Sequence, residues 1–64
     1  MTVKFIHEEP EKRKDIAMEL DLAPNIGDTI MMDYGGSHIV YDRTFSFSDN
    51  ILIVIIVWIK DKYP

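Results

Sequence analysis

Apolar and polar residues alternate most cleanly between Asp15 and Leu22, where Ile16, Met18, Leu20 and Leu22 interleave with Asp15, Glu19 and Asp21. A period of two places the apolar set on one face of an extended strand. Only Ala17 blurs it. A helix over residues 8–22 is the competing reading, because Pro10 suits a first turn and Glu, Lys, Ala, Met and Leu favour helix. Wound at about 100° per residue, however, the same apolar residues scatter around the axis and form no stripe.

Four further segments read as strands. Thr2–His7 is short and rich in β-branched and aromatic residues, and Thr29–Asp33, His38–Phe47 and Ile51–Lys60 carry the same signature. The breaks between them have turn chemistry: the charged, Pro10-containing Glu8–Lys14, the cluster Ala23–Asp28, Tyr34-Gly35-Gly36-Ser37, and Ser48-Asp49-Asn50. Within His38–Phe47, Val40 falls on the opposite face from Ile39, Tyr41, Phe45 and Phe47. A bulge or bend near Asp42-Arg43 would bring them into register. Asp61–Pro64 reads as a polar tail.

Five short strands joined mostly by tight turns predict an all-β fold, a small five-stranded antiparallel SH3-like barrel over residues 1–64, with an OB-like barrel the nearest alternative. A chain of 64 residues supports one such domain. A domain of this size buries only about 60% of its unfolded surface. Cysteine is absent, so neither a disulfide nor a thiolate zinc site can reinforce it, and self-association is a remaining route to buried area. The first residues lack the apolar core and cleavage site of a secretory signal. Ile51–Ile59 is too short for a membrane helix, which needs about 20 residues. The expectation is therefore a cytoplasmic protein without a membrane role.

The stretch Pro24-Asn-Ile-Gly27-Asp28-Thr-Ile30, the Gly35-Gly36 turn, Val40-Tyr-Asp-Arg43-Thr44-Phe45 and the β-branched last strand resemble small uncharacterised bacterial and phage-associated SH3-like β-barrel proteins. In that group a Pro-x-x-Gly-Asp turn precedes a hairpin. The resemblance covers about residues 16–59. It implies a fold and a bacterial or prophage setting, and no activity. At the last strand this chain departs from the pattern, being apolar throughout where the group alternates.

That last strand is the main anomaly. Strict alternation puts Ile51, Ile53, Ile55, Val57 and Ile59 on one face and Leu52, Val54, Ile56 and Trp58 on the other. A small barrel covers one set with its own core. The other set, Leu52, Val54, Ile56 and Trp58, becomes the candidate self-association surface of a homo-oligomer, because long exposed apolar stripes are rare in monomers.

Little in the chain points to chemistry. There is no Gly-x-Ser-x-Gly elbow around Ser37, Ser46 or Ser48, and no phosphate-binding glycine loop. No catalytic or cofactor-binding residue is expected, and the chain reads as non-enzymatic. His7 and His38 lie near Glu8, Glu9, Asp33 and Asp42, but the His-Glu-Glu run splays its side chains to opposite sides of a strand. Solvated strand-end histidines and no metal site are expected. Tyr34, Tyr41, Arg43 and Phe45 form a candidate ligand or partner surface. Together with Phe47 and the basic Lys4, Lys12, Arg13 and Lys14, they offer an aromatic platform for single-stranded nucleic acid. A net charge of −4 disfavours that use. The carboxylates Asp15, Glu19 and Asp21 make an acidic row through which an accessory or inhibitor-like protein of a mobile element would dock on a larger partner.

Overall fold

The computed structural model describes residues 1–63; Pro64, the end of the expected tail, lies outside the described residues. Five strands form: β1 (Thr2–His7), β2 (Ile16–Glu19), β3 (Thr29–Met31), β4 (Ser37–Ser48) and β5 (Ile51–Asp61). No described residue is helical. Segment 8–22 therefore holds a charged loop and a strand, but the strand expected over Asp15–Leu22 is confined to Ile16–Glu19, and Leu22 beyond it is exposed. No helix is long and apolar enough to cross a membrane.

All five strands belong to one mixed sheet in the order β2-β1-β5-β4-β3, curled into a half-barrel. The expectation of purely antiparallel pairing fails at one place. β1 and β5 run parallel, with Val3 beside Ile55 and His7 beside Ile59. The apolar character of β5 accounts for its position, since a strand apolar on both faces is best placed inside a sheet. One of its edges takes β4 through a tight turn, which forces antiparallel pairing. The other edge takes β1 from the far end of the chain. A parallel neighbour needs a long crossover, and everything from β2 to β4 supplies it.

The β4–β5 turn is built from Asp49 (φ 50°) and Asn50 (φ 64°), residues that tolerate left-handed backbone. This matches the two-residue turn whose twist suits a hairpin. Residues 20–28 carry the chain from the β2 edge to the β3 edge. Gly27 at φ 95° closes that turn and donates its N–H to the Val40 carbonyl at 2.9 Å.

Val3, Phe5, Val40, Ile55, Val57 and Ile59 form the buried core on the inner face, with Met18, Leu20, Ala23, Ile30, Met32 and Leu52 packed around them. Two bulges set which residues reach it. The first is one residue earlier than expected: Val40 pairs with Ile59 and Asp42 with Trp58, so Tyr41 is the extra residue. Beyond it, Arg43 opposite Val57 and Phe45 opposite Ile55 share the inner face with Val40. The second bulge lies at Ile53, between the pairs Ser46–Val54 and Phe47–Leu52. It breaks the strict alternation assumed for the last strand. Leu52 turns to the inner face and packs on the core, leaving Val54, Ile56 and Trp58 half-buried on the outer face.

Candidate functional site

The last turn of the sheet brings three chemistry-bearing side chains together: His7 at the end of β1, His38 at the start of β4 and Asp61 at the end of β5. Register explains the meeting, because His7 sits beside Ile59 and His38 lies opposite Asp61. Both histidines are buried, at 4% and 1% exposure, which corrects the expectation of solvated strand-end rings. Alternation on β1 and β4 points them to the inner face with Phe5 and Val40.

His7 Nε2 lies 3.0 Å from Asp61 Oδ1, and His7 Nδ1 accepts the backbone N–H of Glu9 at 3.0 Å. The Glu9 contact places the neutral ring's proton on Nε2, where it donates to Asp61. This hydrogen bond, above all, holds the Asp61 carboxyl below its ordinary value; partial desolvation opposes it and the charge of Arg13 adds to it. His38 Nδ1 also lies 3.1 Å from Asp61 Oδ1. The approach is off the hydrogen-bonding direction, and neither ring nitrogen of His38 finds a hydrogen-bond partner among the described residues. A buried polar group left in that state costs about 1–3 kcal/mol.

The two imidazoles meet edge to face, centroids 5.5 Å apart, and Tyr34 packs edge-on against His38 at 5.3 Å. Arg13 covers the Tyr34 ring at 4.6 Å. An open cleft of about 380 Å³ lies beside this group, lined by Arg13, Tyr34, Ser37, His38, Asp61 and Tyr63 among others. Asp61 falls in the segment whose sequence reads as a polar tail. Its partnership with the histidines depends on strand register across 54 residues, which no local pattern encodes.

The expected surface of Tyr34, Tyr41, Arg43 and Phe45 does not form one patch. Tyr34 belongs to the histidine end. Tyr41 is the bulged residue, with Lys60 Nζ 5.7 Å from its ring centre. Arg43 and Phe45 lie further along β4 on the inner face. The Arg43 guanidinium reaches the Pro24 carbonyl at 3.4 Å and Asn25 Oδ1 at 3.2 Å, which fastens the 20–28 connection to β4. The acidic row is also partly engaged: Asp15 pairs with Lys4 at 3.4 Å, and Glu19 accepts a hydrogen bond from the Thr2 hydroxyl.

At the opposite end, β4 and β5 run on as a two-stranded arm. Pairing with β1 begins only at Ile55, and β3 pairs only with residues 37–39 of β4. Both edges of the arm are therefore unpaired over about residues 43–48 and 51–54. Phe45, Phe47, Ile51 and Ile53 on it are 48%, 62%, 64% and 54% exposed. Comparison with family models, with curated proteins and with solved structures finds no match for the chain.

Proposed function

We propose that this chain is a non-enzymatic protein-interaction module that self-associates through the β4–β5 arm. The exposed apolar arm with two unpaired edges is the observation that carries this reading. Unpaired strand edges template pairing with another chain unless charge, proline or a cover blocks them. The arm holds no proline, and its charges are confined to Arg43 at its base and Asp49 at its turn.

A second copy of the chain is the proposed occupant, because both copies carry the same unpaired apolar edges, which can pair with each other. Two molecules of net charge −4 repel over most of their surfaces, and the arm is where that repulsion is least. Relative to the strand surface expected from alternation alone, Val54, Ile56 and Trp58 stay at the outer face. Phe45, Phe47, Ile51 and Ile53 supply the larger exposed area. Each such side chain adds about 1.5–3 kcal/mol when fully buried, set against an association cost of about 4–15 kcal/mol. Several per partner are therefore needed, and the arm offers them.

The SH3-like character remains part of the proposal. It is supported by five strands, short hairpins and the curl of the sheet; the parallel β1–β5 pair is its point of departure. A cytoplasmic setting accords with the lack of cysteine.

Light scattering after size-exclusion chromatography tests the association, over a dilution series from about 1 mM to about 1 µM, where free energies of about 4–8 kcal/mol become visible. The wild-type mass should fall from oligomer to monomer. The doubly substituted chain Phe47→Lys, Ile53→Lys should stay folded and monomeric throughout. A wild type that is monomeric at every concentration rejects the reading.

A further inference from the structure

We propose that His7, His38 and Asp61 form a binding site for a divalent transition-metal ion of the zinc type, which ties together the ends of β1, β4 and β5. One ligand atom from each of the three residues lies within 4.8 Å of the others, and His7 Nε2 and His38 Nδ1 both approach Asp61 Oδ1. Zinc in four-coordinate sites sits about 2.0–2.2 Å from nitrogen and oxygen ligands, which places those ligands about 3.3–3.5 Å apart. The 3.0 and 3.1 Å separations from Asp61 Oδ1 are within a few tenths of an ångström of that spacing.

The independent observation is His38. Its ring is 1% exposed and neither nitrogen has a hydrogen-bond partner among the described residues. A cation at Nδ1 gives that nitrogen a partner. Two imidazoles and one carboxylate are a donor set that suits first-row divalent ions and leaves a coordination position for water. His38 and Asp61 also line the open cleft, so an ion has a path from solvent. The benefit is specific to this chain: a small cysteine-free domain lacks a covalent staple, and an ion held by three strands is one.

Binding has a local consequence. The Glu9 N–H now holds His7 Nδ1 as an acceptor. Taking the ion on Nε2 moves the ring proton to Nδ1, and the Glu9 amide must turn away. The Glu9 amide resonance therefore reports occupancy.

The experiment uses the untagged full chain, stripped of metal and titrated with Zn²⁺ by calorimetry, with Co²⁺ as a visible-absorption probe. One ion per chain is expected, with a higher unfolding temperature and a shifted Glu9 amide. Asp61→Asn keeps an acceptor for His7 but loses the charge, and should weaken Zn²⁺ binding at least tenfold, since even outer-shell changes at metal sites cost about 10–100-fold. His38→Gln should do the same, and Asp61→Asn decides alone if that chain does not fold. Glu8→Gln should bind as the wild type does. No saturable Zn²⁺ binding, or equal binding by wild type and Asp61→Asn, overturns the proposal.

Discussion

Ile59 and Ile53 are the same residue type on the same strand, yet the fold gives them opposite work. Ile59 is 1% exposed in the core, whereas Ile53 is the bulged residue of the arm. Truncation of each to Ala therefore separates folding from association. At a buried site, Ile→Ala costs about 2–5 kcal/mol in lost transfer energy and cavity formation. A 64-residue domain has about 3–10 kcal/mol of total stability, so Ile59→Ala removes a large part of it. At about 4–8 °C per kcal/mol, the midpoint falls by at least about 8 °C. Ile53→Ala should stay within about 0.5 kcal/mol of wild type in the monomer, as exposed changes do. Urea unfolding followed by Trp58 fluorescence measures both, at dilute and concentrated protein. Trp58 suits the task because its Nε1–H donates to Thr44 Oγ1 at 3.1 Å across the β4–β5 pair. Association adds a concentration-dependent term that Ile53→Ala should lose and wild type should show. Equal destabilisation by the two variants in dilute solution would refute the assignment of inner face and arm.

Other outcomes follow from named contacts. Gly27→Ala places a side chain at φ 95°, where nothing crowds it but the backbone is strained, and should cost about 1–2 kcal/mol in chemical denaturation. Arg43→Ala removes the two contacts that its Nη1 makes to Pro24 and Asn25, so amide exchange should quicken across residues 20–28 while the core amides of β5 stay protected. Acid should loosen the β1–β2 pair: the Thr2 hydroxyl, first among the causes, holds the Glu19 carboxyl below its ordinary value of 4.5. Its contribution is present above that value and is lost as pH falls through the lowered pKa, and Thr2→Val should flatten this dependence in a pH series of unfolding midpoints. Asp15→Asn, at the half-exposed ion pair with Lys4, should change stability by less than about 1 kcal/mol.

Local pattern carried much of the fold. The Asp49-Asn50 turn appears where expected, whereas the period of two over Asp15–Leu22 yields a strand only at Ile16–Glu19, and Gly35 and Gly36 lie in a five-residue loop between the paired Met31 and Ser37. The bulge on β4 was visible as a break in register, displaced by one residue to Tyr41. Two things were not local. The parallel β1–β5 pair joins the two ends of the sequence, and nothing in Thr2–His7 says in which direction its neighbour runs. The bulge at Ile53 lies inside an unbroken apolar run, where any shift of register leaves the pattern looking the same, and this moved Leu52 to the inner face. The His7–His38–Asp61 cluster was hidden for the same reason. Each member sits at a strand end, and only the pairing of three strands brings them within reach. Tyr34, Tyr41, Arg43 and Phe45 are near one another only in sequence: Tyr34 lies before β4 at the histidine end, and the 12-residue strand spreads the other three along its length.

The arm as the place where two copies meet is the central claim. The absence of cysteine allows one unique label, and Ser48→Cys at the tip carries a nitroxide without touching the core. Mixed with isotope-labelled wild type, it reads intermolecular distance through amide line broadening. Broadening should concentrate in residues 43–55, with little in the 8–14 loop. Broadening centred elsewhere, or none at millimolar protein, would contradict the claim.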